Sequence, residues 1–250
     1  MLLEIKGLTK QFGGLMAVHD LDMHVIEGEI LGLIGPNGAG KSTIFNLITG
    51  VLKPTRGKIF FQGKDITGKK PYAIARLGIG RTFQLNPLFA EFTVLENVLA
   101  SFYLHPRSSM FDMYFHTPTY RRNEALIAQQ AAEIVAMVGL EAVKHELAKN
   151  LPHGYQKMLG IARALATKPR LLLLDEPLAG MNAEEIEFTL AGIRSMRDRG
   201  MTVVVVEHNM VILDMCDRVV AVNFGKKIAE GLPDEIRQDK DVIEAYLGTM

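Results

Sequence analysis

One nine-residue stretch, GPNGAGKST at positions 35–43, restricts the possible folds of this chain more than any other. Its spacing is G-x-x-x-x-G-K-[ST]. Gly35, Gly38 and Gly40 let the backbone turn its N–H groups inward with no side chain blocking the approach of an anion. Lys41 places a compact positive charge at the end of that cradle. Ser42 supplies a hydroxyl suited to Mg²⁺. Pro36, Asn37, Ala39 and Thr43 complete the loop. Such a loop needs a buried strand before it and a helix after it. Residues 29–34 form a short apolar run, and 42–49 read as a helix stopped by Gly50. The helix then points its positive dipole end at the same anion, and the pattern predicts a bound nucleoside triphosphate.

Length and charge narrow the class. The chain has 250 residues, enough for one large domain or a core with a smaller subdomain. Lys+Arg and Asp+Glu both number 28, so nothing in the net charge favours a nucleic-acid partner held through its phosphates, and none is expected. The single cysteine, Cys216, rules out a disulfide framework and a cysteine-based zinc site, and it reads as a small apolar core residue. Apolar runs at 171–174 and 203–206 are too short to cross a bilayer. The N-terminus carries Glu4 and Lys6 in a strand-like pattern and does not read as a signal peptide. Work at a membrane is therefore expected to go through a partner.

The periodicity changes twice along the chain. The first 84 residues read as short strands around the loop, with turns at Gly13-Gly14, Glu27-Gly28 and Gln62-Gly63. Residues 85–167 read as helical, with a capping box at Thr93 and Glu96 and helices expected at 121–138, 141–149 and 154–167. From 168 onward, strands at 170–174, 202–206 and 218–222 alternate with helices at 183–199 and 209–215, and the tail reads as short helices. The alternation predicts an α/β fold with a mostly parallel sheet.

A second set of polar residues sits at strand ends. The apolar run at 171–174 ends in Asp175 and Glu176, at the edge where ligands bind in open α/β sheets. Asp175 is placed to hold Mg²⁺ through water. Glu176 is placed to orient or deprotonate an attacking water. The run at 202–206 ends in Glu207-His208, and His208 could contact a γ-phosphate or position that water. Gln84 follows the strand expected at 79–83 and could ligate Mg²⁺ or sense the γ-phosphate.

Taken in this order, the motifs resemble the ATP-binding subunit of an ABC transporter, and the resemblance covers nearly all of the chain. It implies a RecA-like P-loop NTPase core with an antiparallel β subdomain (1–84 and 168–250) and a helical subdomain (85–167), together one ATP-binding domain. It further implies that Phe12 stacks on adenine with Val18 nearby, that Gln84 is the Q-loop glutamine, that 179–182 form the D-loop and that His208 is the switch histidine. The signature segment at 151–155 departs from Leu-Ser-Gly-Gly-Gln. Pro152 replaces the serine, His153 the first glycine and Tyr155 the glutamine, while Gly154 is kept. Whether these three side chains touch nucleotide or cap structurally is open at this level.

The non-standard signature, the insert after Gln84 and the ending at 241–248 resemble the first of the two ATP-binding subunits of branched-chain amino acid importers. That branch implies ATP and Mg²⁺ as ligands, a homodimer or heterodimer with a second ATP-binding subunit, integral-membrane permease subunits, and a solute-binding protein reached indirectly. It implies a peripheral position on the cytoplasmic face of the membrane. Importers of urea, short amides or other amino acids share these motifs, and a non-transport ABC ATPase is the more distant alternative. Residues 101–120 hold 6 of the 18 aromatic residues, which either form a permease-docking surface or fill the helical subdomain.

Overall fold

The computed structural model describes residues 1–82, 88–102, 114–115 and 117–247. Among the described residues ten strands lie in chain order: β1 (Leu3–Phe12), β2 (Leu15–Val25), β3 (Ile30–Ile34), β4 (Arg56–Phe61), β5 (Lys64–Asp65), β6 (Ile79–Arg81), β7 (Leu171–Asp175), β8 (Thr202–Glu207), β9 (Arg218–Asn223) and β10 (Lys226–Gly231). They build a four-stranded sheet of order β2-β1-β4-β5 and a six-stranded sheet of order β10-β9-β3-β8-β7-β6. The pairs of the smaller sheet are antiparallel. In the larger one only β10 runs against its neighbour.

Composition explains this division. Strands β3, β7 and β8 are buried at every residue, as a parallel sheet covered on both faces requires. Strands β1 and β2 mix buried and exposed positions, as expected for a sheet with one wet face. Strand β10 is an edge strand with no buried residue, so it carries no apolar signal. It pairs with β9 through the turn at Phe224-Gly225. Cys216 is buried, its thiol pushed up to about 12 by burial, and its Sγ donates to Ile212 O at 3.3 Å.

Two compact units emerge. The first contains 1–84, 170–179 and 197–250, and holds both sheets. Its core runs from Leu3, Ile5 and Leu8 through Phe45 and Phe61 to Leu173, Val204 and Val220. The helix that follows the glycine-rich loop, α1 (Lys41–Ile48), packs Ile44, Phe45, Leu47 and Ile48 into it.

The second unit contains 85–169 and 180–196, so most of the helix Ala183–Asp198 groups with the helical segment. Its other long helices are Val94–Phe102, Pro118–Met137 and His153–Leu165. The capping box is present: Thr93 N donates to Glu96 Oε2 at 2.7 Å and Glu96 N to Thr93 Oγ1 at 3.2 Å. The helix expected at 141–149 does not form; only two 3₁₀ turns do, Glu141–Val143 and Ala148–Asn150. The reason is tertiary. Carbonyls of Lys144 and Glu146 accept from Leu95 N and Val94 N, and Ala148 N donates to Phe92 O. The segment caps the neighbouring helix start, and that role outweighs its helical propensity. Of the aromatic-rich insert, 103–113 and 116 lie outside the described residues. No helix among the described residues is long and apolar enough to cross a membrane.

Candidate functional site

The first unit's site grows from the C-terminal ends of three adjacent strands. Register places Ile34 beside Glu207 and Asp175 beside Val206. The glycine-rich loop leaves the end of β3 and enters α1. Two glycines are required sterically. A Cβ on Gly35 (φ +155°) would stand 2.1 Å from Val222 O, and one on Gly40 (φ +103°) 2.4 Å from Ala17 O. The turn between β9 and β10 ties the loop down through Gly225 N donating to Ala39 O at 2.9 Å. No side chain caps α1 and its first turn carries no acid. Its leading N–H groups are therefore suited to an external anion.

Lys41 is buried beneath this loop, with its Nζ donating to Gly35 O at 2.6 Å and Pro36 O at 2.9 Å. Burial pushes its pKa down, and the charges of Glu176, Glu207 and Asp175 act against that shift. Above lies a cavity of about 500 Å³. It is lined by Phe12, Leu15, Met16, Ala17, Phe224 and Gly225 together with residues 37–43 and Glu176. Such a lining, apolar side chains together with a glycine-rich loop, suits a ligand that has an apolar part and an anionic part. Phe12 is 44% exposed and has Lys10 Nζ 4.9 Å from its ring centroid. Val18 is fully buried in the core; Ala17, one residue earlier, lines the cavity. The alternation of β2 turns Val18 inward.

The acids divide by environment. Asp175 is buried; its Oδ2 accepts from Arg81 Nη2 at 2.7 Å and its backbone N donates to Thr82 Oγ1 at 3.3 Å. Its Oδ1 is buried with no hydrogen-bond partner. An orphaned carboxylate oxygen at a strand end suits a metal ion or its water ligand. Among the described residues no group of three or more His, Cys, Asp or Glu could hold a metal alone. A cation at this oxygen would need further ligands of another kind. Glu176 has φ +46°, a left-handed conformation that costs energy for a non-glycine residue. Its N donates to Val206 O at 2.9 Å, which aims its side chain into the cavity wall. His208 Nδ1 lies 4.0 Å from Glu176 Oε1 and 3.8 Å from Glu207 Oε2. Gln84 lies outside the described residues.

Two functional positions escaped sequence reasoning. Arg81 ends β6, and its contacts become visible only once the sheet register is known. Glu207 is fully buried; it accepts from Leu178 N at 2.8 Å and His208 N at 3.2 Å, holding the turn after Glu176 to the histidine. Burial pushes its carboxyl up. The signal available was a carboxylate flanked by four valines and a histidine, since a charge ending such a strand is seldom solvated.

The signature segment belongs to the second unit. Pro152 caps the helix His153–Leu165. Gly154 N donates to Glu185 Oε1 at 2.8 Å, and a Cβ on Gly154 would stand 2.9 Å from Glu185 Cβ. Tyr155 stacks on Phe188 with centroids 4.3 Å apart and 7° between planes. The Tyr155 ring therefore braces one helix on another. An anion reaching the Gly154 N–H has to displace Glu185 or use its neighbours.

A strand, a glycine-rich loop, a buried lysine and two acids at the end of the strand next but one define a P-loop nucleotide-binding ATPase site. The chain belongs to the ABC transporter family, whose description matches residues 18–179, and within it is an ATP-binding ATPase component. A second family, described as branched-chain amino acid ATP-binding cassette transporter, matches residues 226–250. The chain is 41% identical to the high-affinity branched-chain amino acid transport ATP-binding protein BraF of Pseudomonas aeruginosa, over 99% of this chain and 98% of that one. It is 40% identical to the protein of the same description, LivG, of Escherichia coli, with the same coverage. The ADP conformation of an ATP-binding cassette of an ABC transporter superposes with a TM-score of 0.85 at 33% identity, covering 99% of both chains. A dimeric post-hydrolysis cassette bound to ADP and Pi gives 0.75 at 26% identity, over 93% of this chain and 99% of that one.

Because burial raises the Glu207 pKa, its folded state keeps the proton to higher pH than the unfolded chain. Stability from this group is full below the unfolded value and is lost as pH rises through the folded value. Glu207→Gln cannot titrate. Denaturant unfolding of both proteins from pH 4 upward is expected to show the wild type losing stability relative to the variant. A difference constant with pH contradicts this assignment.

Proposed function

We propose that this chain hydrolyses ATP to power import of branched-chain amino acids, as one of two ATP-binding subunits on the cytoplasmic face of a membrane. The observation that supports the reading most is the buried, carbonyl-held Lys41, which lines one cavity with Glu176 and is acted on by the charges of both strand-end acids, Asp175 and Glu176. The solute class is supported by relatives of that description along almost the whole chain.

In this reading adenine stacks on Phe12, with Ala17 beside it and Val18 supporting the wall from the core. Backbone N–H groups of Gly35, Asn37, Gly38, Ala39, Gly40, Ser42 and Thr43 supply the phosphate cradle, and Pro36, which has no N–H, shapes the loop. Lys41 exchanges the Gly35 and Pro36 carbonyls for β- and γ-phosphate oxygens. Mg²⁺ would be held by the Ser42 hydroxyl, by Asp175 Oδ1 through water and by Gln84, and would supply neutralisation of phosphate charge. Glu176 takes a proton from the attacking water as the water oxygen bonds the γ-phosphorus; the bond to the bridging oxygen breaks and ADP leaves with that electron pair. His208 orients Glu176 and contacts the γ-phosphate.

The second wall of the site comes from the Gly154 segment of a second ATP-binding subunit, identical or related. The γ-phosphate contacts favour the closed pair, and hydrolysis removes them. The 85–167 segment passes this motion to permease subunits, and a solute-binding protein selects the cargo. Residues 1–84 and 168–250 with that segment act as one nucleotide-binding domain.

Glu176→Gln is expected to keep ATP binding and to accumulate as an ATP-bound dimer, with turnover reduced about 10²–10⁴-fold. Size-exclusion chromatography and phosphate release check this; normal hydrolysis contradicts the role of Glu176. For transport, the chain reconstituted with its permease and solute-binding protein is expected to show ATPase activity stimulated by leucine, isoleucine or valine. Stimulation by urea or a short amide instead overturns the solute, and failure to assemble with any permease overturns the transport role.

A further inference from the structure

The buried guanidinium of Arg81 joins the carboxylate assigned to the metal side of the site to the helix that carries the phosphate-binding lysine. We propose that Arg81 is a positioning residue for the divalent cation. It holds Asp175 by Oδ2, so that Oδ1 is the oxygen offered to the metal. The inference rests on the reading of Asp175 given above.

Four observations carry it. First, Arg81 is the last residue of β6 and pairs with Leu173, two residues before Asp175, so sheet register brings its side chain to the end of β7. Second, its fork is divided between two elements. Nη2 donates to Asp175 Oδ2 at 2.7 Å, while Nη1 donates to Asn46 Oδ1 at 2.7 Å and reaches Thr49 Oγ1 at 3.3 Å. The guanidinium carbon also sits 5.5 Å from the Phe45 ring centroid. Third, Phe45 and Asn46 lie four residues after Lys41 and Ser42 on α1, one turn further along the same faces. Arg81 therefore grips α1 one turn below the residues that meet phosphate and metal. Fourth, the Arg81 and Asp175 side chains are 8% and 6% exposed, yet Asp175 Oδ1 has no partner. A buried carboxylate satisfied on one oxygen and orphaned on the other is arranged for a ligand.

The geometry needs arginine. Lysine carries the same charge but has no planar fork and cannot reach α1 and β7 along two fixed directions at once. A purely structural ion pair is a different matter: its loss lowers stability without touching metal affinity selectively. The two roles therefore separate by experiment.

Mn²⁺ serves as the probe, its binding to the full chain in the presence of ATP followed by electron paramagnetic resonance. ATP affinity is measured separately in EDTA. For Arg81→Lys the Mn²⁺ dissociation constant is expected to rise about 10- to 100-fold, with metal-free ATP affinity within about twofold of wild type. Asn46→Ala removes one arm of the grip and leaves the buried pair intact. It is expected to weaken Mn²⁺ several-fold in the same selective way, and it carries the test if Arg81→Lys does not fold. Wild-type Mn²⁺ affinity and line shape in the folded variants overturn this inference alone. Equal losses of Mn²⁺ and metal-free ATP affinity also overturn it, since they reveal general damage. Failure of the wild type to bind Mn²⁺ with ATP overturns the metal-site reading and this inference together.

Discussion

The ammonium of Lys41 is the charge around which the first unit's site is organised. Removing an ammonium from water is costly unless oxygen atoms replace its hydration, and here two loop carbonyls, Gly35 O and Pro36 O, do so at 2.6 and 2.9 Å. The loop that carries those carbonyls includes Gly35 and Gly40, whose conformations leave no room for a Cβ. Three acids, Asp175, Glu176 and Glu207, lie close enough to oppose the effect of burial on the lysine. They come from the ends of β7 and β8, neighbours of one another, with β8 beside β3. The sheet order, the glycines and the strand-end acids thus meet in one requirement, the accommodation of a buried positive charge that an incoming polyphosphate can use.

The same accounting gives each acid a different task. Asp175 is half-satisfied, paired with Arg81 on one oxygen and orphaned on the other. Glu207 is enclosed and spends its oxygens on the N–H groups of Leu178 and His208. Glu176 sits between them on a left-handed backbone and faces the cavity. Three carboxylates within a few residues of two strand ends therefore sit in three different environments, which suit the proposed roles of ligand, brace and base, and burial and hydrogen bonding make the distinction.

Much of this was legible in the sequence because local patterns carried it. The loop at 35–43 lies between β3 and α1, as the flanking apolar run and the glycine stop indicate. The strand-end position of Asp175 and the Thr93–Glu96 box are local too. What was not legible depends on register or on partners distant in sequence. Arg81 meets Asp175 across 94 positions. Strand β10 is an exposed edge without alternation. Residues 141–149 carry helical composition, but their carbonyls are needed by the helix start at Val94. The Tyr155–Phe188 stack and the Gly154–Glu185 hydrogen bond turn the unusual signature into a brace, which composition alone does not reveal.

The most direct test of the account is the ATP affinity of Lys41→Ala beside wild type, measured by calorimetry in magnesium buffer. If the buried ammonium is the floor of a phosphate cradle, removing it deletes charge-assisted hydrogen bonds and weakens binding by at least about tenfold while the chain stays folded. Equal affinities in the two folded proteins contradict the account at its centre.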